Sequence, residues 1–221
     1  MRMMALRNWL LAAPLMVGLA ACQTDSGQGT ANSAPKPTTN AAMASKVTVI
    51  EARGDYRQDA SGMVFPKELV GFGRAVLLKF DPAGADMSAN YRLTGAEPSP
   101  LLSIYVYPAL AGSRPGTNAA ARCRQHFDEV KSQVLEANPS YTPGRDHGAA
   151  VHKNGWTIPG QYADYRGPGL GSRVYLFCNE GSPWVVKIRF TYPDGADADK
   201  LIGDVLNALP WPAKAMAGGA V

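Results

Sequence analysis

The sequence predicts an α+β domain, in which an antiparallel sheet is covered on one face by two helices. Short segments that alternate between apolar and polar residues occur in blocks along the chain, which indicates strands. Two longer segments follow these blocks and carry apolar residues at the helical period. Strands in blocks followed by helices are typical of α+β folds, in which the helices gather on one side of the sheet.

The first block of strands occupies the N-terminal half of the domain. Apolar and alternating residues predict four strands there, at 46–52, 73–80, 89–93 and 101–109. A turn-rich segment beginning at Phe65 separates the first two strands. Pro108 and the loop GSRPG that follows end the fourth.

The first helix is predicted from about Thr117 to Asn138. Its apolar residues lie at i, i+4, i+7 and i+11 and form one stripe: Cys123, Phe127, Val130 and Val134. Thr117 or Asn118 can cap the start, and Asn138 followed by Pro139 ends the helix.

The C-terminal part of the domain contains further strands and the second helix. Residues 146–166 indicate one or two weaker strands, and 174–178 with 184–192 predict a hairpin. A helix over about 196–209 carries its apolar residues on one face: Leu201, Ile202, Val205, Leu206 and Leu209.

Residues 1–21 have the composition of a signal peptide. Arg2 and Arg7 give a positive start, and an apolar run follows from Trp9 to Ala21. A membrane-spanning helix needs about 20 apolar residues, so this shorter run fits the core of a secretory signal.

The apolar run ends at Leu19-Ala20-Ala21-Cys22, which resembles the lipobox of bacterial lipoproteins. The resemblance implies cleavage before Cys22, diacylglycerol on its sulfur and an acyl chain on its amine. Two or more membrane signals anchor a protein stably, whereas one acyl chain does not. Gln23 stands where aspartate resembles an inner-membrane retention signal, so the outer membrane is favoured, with the domain facing the periplasm. The alternative is an ordinary Ala-x-Ala cleavage site with an unrelated cysteine nearby.

The mature chain is predicted to begin with a flexible tether. Residues 22–45 comprise the lipidated cysteine and a linker that has no aromatic residue, leucine, isoleucine or valine. Such a segment cannot bury enough apolar surface to offset the entropy of ordering it. Residues 46–212 are long enough for one domain with a core, and 213–221 form a disordered tail.

The charge of the chain argues against a nucleic-acid partner. The formal net charge is +4, and Arg2 and Arg7 of the leader contribute two of these charges. The other basic residues are spread along the chain, whereas nucleic-acid binding requires a concentrated basic surface.

Two cysteines remain within the domain. Cys123 lies on the apolar stripe of the first helix, and Cys178 has the same strand parity as Val174 and Leu176. Both point toward a core, and disulfides persist in exported proteins. We predict a Cys123–Cys178 disulfide; the alternative is two buried free thiols.

The 174–192 hairpin carries one candidate interaction surface. A register in which paired residue numbers sum to about 362 places Tyr175 opposite Lys187 and Arg173 opposite Arg189. These four side chains then form a basic and aromatic face for an acidic partner or anionic headgroups. The alternative is a solvated face whose arginines pair with carboxylates of a neighbouring strand.

The sequence predicts no catalytic residue, no metal site and no cofactor. The histidines His126, His147 and His152 do not have the spacing of zinc ligands. The glycine-rich string at 166–173 is followed by a strand and not by a helix, so we interpret it as a hairpin loop and not as a phosphate loop. Asp146 and His147 are adjacent and point apart on an extended chain, and no serine lies in a G-x-S-x-G elbow.

The function predicted from these features is that of a lipid-anchored envelope protein with a non-catalytic binding or structural domain. Its partner would be an envelope protein or the cell wall. The alternatives are an exported hydrolase, and a carrier with a ligand cavity between helix and sheet near Phe127 and Trp184. The order of elements resembles the small domains of the PsbP, Mog1 and DcrB type, which is an expectation about fold alone.

Overall fold

A nine-stranded sheet dominates the protein in a computed structural model that describes residues 47–109, 118–178 and 182–212. The predicted leader, Cys22, the tether and the tail lie outside the described residues. The strands of the described chain are β1 (Thr48–Val49), β2 (Tyr56–Arg57), β3 (Val64–Phe65), β4 (Glu68–Leu69), β5 (Phe72–Lys79), β6 (Met87–Leu93), β7 (Leu101–Pro108), β8 (Thr142–Lys153), β9 (Trp156–Gly167), β10 (Leu170–Phe177) and β11 (Trp184–Pro193).

The strand order in the large sheet is β1-β5-β6-β7-β11-β10-β9-β8, with β4 also pairing to β5. All of these pairs are antiparallel, and β2 and β3 form a separate two-stranded ribbon. Strand β8 therefore lies at one edge of the described sheet, next to β9 alone.

Both predicted helices are present, with caps supplied by the sequence. Helix α1 spans Ala119–Ala137, and the Asn118 side chain accepts a hydrogen bond from the Ala121 N–H at 2.7 Å. Helix α2 spans Ala198–Ala208, and Asp197 accepts from the Lys200 N–H at 3.1 Å. Each cap satisfies one N–H that has no partner inside its helix.

The helices cover opposite faces of the sheet. Val174 and Leu176 of β10 pack in one apolar cluster with α1. Tyr175 and Phe177 of the same strand pack in a second cluster with α2. Because successive side chains on a strand point to opposite faces, α1 and α2 lie on different sides.

The predicted fold class is therefore wrong. Strands account for 47% of the described residues and helices for 19%, so the domain is mainly an antiparallel sheet. The two helices do not share a face. A central strand with a helix on each side is apolar on both faces. Because its residues do not alternate between apolar and polar, the sequence does not show which face each helix covers.

The β8–β9 hairpin is larger than the sequence analysis indicated. Each strand has 12 residues, and Asn154 and Gly155 connect them. Both connecting residues have positive φ, of 50° and 81°. This is the backbone of the two-residue hairpin turns that Asn-Gly favours.

The other predicted elements agree with the structure, apart from the first strand. The segment 46–52 contains the two-residue β1 alone, and its neighbouring valines, Val47 and Val49, are more than half exposed. The interpretation of 166–173 as a hairpin loop is confirmed, since β9 ends at Gly167 and β10 begins at Leu170. Neither described helix combines the length and apolarity needed to cross a membrane.

Candidate functional site

The register of the β10–β11 hairpin differs by one residue from the predicted one. Tyr175 lies opposite Ile188, and Arg189 lies opposite Val174. Arg173 and Tyr175 therefore face α2, whereas Lys187 and Arg189 face α1. The four predicted surface residues do not form one face, because a shift of one residue reverses the direction of every side chain on the strand.

Arg173 forms ion pairs with carboxylates instead of meeting Arg189. Its Nε donates to the Asp164 carboxylate of β9 at 2.6 Å, and its Nη1 donates to Asp199 of α2 at 2.6 Å. The Arg173 guanidinium also lies 5.5 Å from the centre of the Tyr162 ring. This agrees with the alternative reading, in which the arginine pairs with a neighbouring strand.

Lys187 has a different aromatic partner from the predicted one. Its ammonium nitrogen lies 4.3 Å from the centre of the Tyr105 ring on β7. Burial lowers the pKa of Lys187, the Asp86 carboxylate opposes that effect, and Arg189 adds to it. The ammonium is thus held at the sheet by an aromatic ring in a partly desolvated position.

The structure contains the predicted Cys123–Cys178 disulfide. The two Cα atoms are 6.0 Å apart, within the usual range for the bond. The bond joins α1 to the residue directly after β10. It therefore connects the helix to the centre of the sheet on the α1 face.

The described histidines have partners that do not assemble a serine hydrolase site. His126 contacts the Tyr107 hydroxyl at 2.8 Å and Glu129 at 3.3 Å, and burial raises the pKa of that tyrosine. His147 lies 3.4 Å from Asp164, and His152 contacts Thr157. Within the residues that the structure describes, no group of three or more histidine, cysteine or carboxylate side chains is arranged to hold a metal ion.

The predicted carrier cavity is not formed by its two named residues. Phe127 is 2% exposed in the cluster beneath α1. Trp184 packs against the cluster on the α2 side. The two aromatic side chains are thus on opposite faces of the sheet.

A groove of about 680 Å³ lies between α1 and the β8–β9 hairpin. We call it the α1 groove, and its lining residues are Asp128, Lys131, Ser132, Leu135, Pro143, Gly144, Arg145, Asp146, Ala163 and Tyr165. Helix α1 provides one wall, the first residues of β8 provide the other, and the last two residues come from β9. The groove combines apolar side chains with charges of both signs.

An ion pair connects the two walls of the α1 groove. The Lys131 ammonium lies 2.6 Å from Asp146 on β8 and 2.9 Å from Asp128 on α1. The hydrogen bond to Asp146 raises the pKa of Lys131, with Asp128 adding to the effect. Lys131 consequently stays positively charged. Because the two carboxylates are exposed, these ion pairs contribute little to the stability of the fold.

The Tyr165 hydroxyl is the unusual feature of the α1 groove. Tyr165 is 2% exposed, and its hydroxyl has no hydrogen-bond partner in the part of the chain that the structure describes. Burial raises the pKa of Tyr165 to about 12, so the group stays a neutral donor and acceptor. Buried hydroxyls without a partner are rare because the lost hydration costs about 1–3 kcal/mol.

The sequence analysis did not identify Tyr165, Lys131 or Asp146 as a set. The chain reversal between α1 and β8 brings Lys131 near Asp146. The β8–β9 hairpin then brings Tyr165 beside β8. The Asn154-Gly155 dipeptide was the available signal for that hairpin. No local sequence pattern predicts the contact between α1 and β8, because Lys131 and Asp146 belong to different elements and are 15 residues apart.

No protein-family model and no curated protein sequence matches this chain. Among solved structures, the chain is similar to the solution structure of cyanobacterial PsbP (CyanoP) from Synechocystis sp. PCC 6803. The sequences are 10% identical, the match covers 76% of this chain and 94% of that chain, and the TM-score is 0.40. This is a weak similarity of fold alone.

Proposed function

We propose that this protein is a lipid-anchored envelope protein whose folded domain is a non-catalytic binding module. Acyl chains on Cys22 would hold it at the outer membrane, and the domain would bind an envelope protein or the cell wall through the α1 groove. The observation that carries the binding role is the buried Tyr165 hydroxyl, which has no hydrogen-bond partner within residues 47–109, 118–178 and 182–212.

The lipid anchor is supported by the sequence Leu19-Ala20-Ala21-Cys22 at the end of a short apolar run. Metabolic labelling with a fatty acid tests it directly. The wild-type protein should carry label, and Cys22→Ala should carry none and remain uncleaved. A Cys123→Ala/Cys178→Ala double variant should still be labelled, because acylation would require the leader alone. Absence of label on the wild-type protein would contradict the anchor.

The binding role is supported by the chemistry of the α1 groove. The Tyr165 hydroxyl is closed off from solvent, so a partner would reach it by displacing a wall of the groove and would then restore the hydrogen bond that burial removes. Leu135 and Ala163 offer apolar contact beside this hydroxyl, and Lys131 with Asp146 offers polar contact at the walls. Interfaces of this kind combine a buried apolar centre with a polar rim.

In-cell crosslinking tests the groove as the contact surface. A photoreactive amino acid replaces Ser132, which is exposed on α1 and lines the groove. The matched control replaces Arg92, which is exposed on β6. We expect a discrete adduct from position 132 and none from position 92.

The side-chain dependence of that adduct separates specific binding from chance proximity. Tyr165→Phe should reduce the yield, because it removes the hydroxyl that the partner contacts. Tyr91→Phe is the matched control, since the Tyr91 hydroxyl already donates to the Pro66 carbonyl at 3.1 Å. Equal yields from positions 132 and 92, or a yield that is insensitive to Tyr165→Phe, would contradict the proposal.

A further inference from the structure

A β-bulge in β8 displaces one arginine from the regular strand. Pro143 pairs with Tyr165 and Asp146 pairs with Ala163, so Gly144 and Arg145 together lie opposite Asp164. Bulges redirect side chains and are frequent beside functional sites. Arg145 is exposed, and among the described residues it forms neither a hydrogen bond nor an ion pair.

A cavity of about 330 Å³ lies beside this bulge. We call it the arginine cleft, and its basic lining residues are Arg145, His147, Arg166 and Arg173. They come from three adjacent strands, β8, β9 and β10. Four basic side chains thus converge on one small concave site, although they are separated in the sequence.

The carboxylates around the arginine cleft are largely engaged by Arg173. Asp164 also lines the cleft, accepts from the Arg173 Nε at 2.6 Å and lies 3.4 Å from His147. The other end of the Arg173 guanidinium binds Asp199. Asp164 therefore holds Arg173 in place and shares its guanidinium with Asp199.

Two arginines of the cleft remain open to a ligand. The Arg145 side chain has no partner among the described residues, and the Arg166 pair with Asp194 is 3.4 Å long with side chains that are 74% and 58% exposed. An exposed pair of this length is weak and can be exchanged for a better acceptor. Arg145 thus carries a positive charge with no described carboxylate beside it, and Arg166 can exchange Asp194 for a phosphate oxygen.

We propose that the arginine cleft binds the phosphate group of a phosphate monoester. Such a group carries a charge of about −1.5 to −2 near neutral pH and three acceptor oxygens. Its charge matches the two open guanidinium groups, whose planar forks bind phosphate oxygens in pairs. The cleft shares Pro143, Gly144, Arg145 and Tyr165 with the α1 groove, whereas its other lining residues are its own. Phosphate binding does not depend on the partner proposed for the groove.

Titration calorimetry on the full chain purified in detergent tests this site. The probes are inorganic phosphate, glycerol 3-phosphate, and the dicarboxylate succinate. We expect the phosphates to bind and Arg145→Gln to reduce their affinity about tenfold, or about 1.4 kcal/mol, because it removes charge-assisted hydrogen bonds to the phosphate. Arg92→Gln is the matched control and should leave the affinity unchanged, because Arg92 is exposed on β6, away from the cleft.

The three probes identify the source of the phosphate. Tighter binding of glycerol 3-phosphate than of inorganic phosphate would indicate an organic monoester such as a headgroup. Equal affinity would indicate the free anion. Absence of phosphate binding by the wild-type protein in the millimolar range would overturn the proposal. The same loss in Arg92→Gln, or succinate binding as tight as that of phosphate, would also overturn it.

Discussion

Cys123 and Cys178 join α1 to the end of β10, with a sequence separation of 55 and 6.0 Å between their Cα atoms. A cross-link over a long loop restricts the unfolded chain, which typically stabilises the folded state by about 2–4 kcal/mol. We expect Cys123→Ala/Cys178→Ala to lower the free energy of unfolding in urea by a similar amount. A reducing agent should lower the stability of the wild-type protein and leave the double variant unchanged. Equal stability of the two oxidised proteins would contradict the prediction.

Removing the Tyr165 hydroxyl should not destabilise the domain. The hydroxyl is buried without a described partner, so Tyr165→Phe removes a desolvated group and no hydrogen bond. Tyr91→Phe provides the contrast, because it breaks the bond to the Pro66 carbonyl and should cost about 1 kcal/mol. Urea unfolding of the two variants measures the difference. A Tyr165→Phe variant as unstable as Tyr91→Phe would show that the hydroxyl has a partner.

Gly160 should resist substitution because β10 approaches it closely. A Cβ at this position would lie 2.5 Å from the Phe177 ring and 2.9 Å from the Leu176 carbonyl oxygen. Gly160→Ala should therefore destabilise the fold by about 1–3 kcal/mol, the usual cost of overpacking.

The matched control for Gly160→Ala is Gly148→Ala on the neighbouring strand. A Cβ at Gly148 has no atom within 4 Å, and alanine reduces the entropy of the unfolded chain. We expect Gly148→Ala to be neutral or to stabilise by up to about 1 kcal/mol. Thermal unfolding of the pair checks the prediction, and equal effects would contradict the close packing at Gly160.

The lowered pKa of Lys187 predicts how the stability depends on pH. Because burial disfavours the ammonium, the folded state releases this proton at a lower pH than the unfolded state does. The Lys187 contribution should therefore make the domain more stable as pH rises from the lowered pKa toward about 10.4, the ordinary lysine value. At neutral pH the charged group is unfavourable, so Lys187→Met should be more stable than wild type.

Unfolding curves of wild type and Lys187→Met at several pH values test this linkage. The advantage of the variant should shrink as pH increases through that window. Lys67→Met is the control for replacing a lysine by methionine at an exposed position. An advantage that grows with pH would contradict the predicted direction.

Part of the candidate site could be predicted and part could not. The disulfide was predictable. Cys123 lies on the apolar stripe of α1, and Cys178 has the same strand parity as the apolar residues of β10, so each points toward a core. The opposite faces on which Arg173 and Arg189 lie were not predictable, because β10 is apolar on both sides and either register buries apolar residues. Tyr165 and Arg145 were also missed. The role of Tyr165 depends on a buried hydroxyl that has no described partner, and that of Arg145 depends on the β8 bulge.

The sequence by itself determined the elements of this domain, and the tertiary structure decided how they combine. Helical periodicity and capping residues specify α1 and α2 locally, so these helices were found close to their observed bounds. The placement of the helices on opposite faces and the register of β10 against β11 depend on packing between distant segments. Local preference carries no information on such contacts, because the same apolar strand can pack a helix on either face.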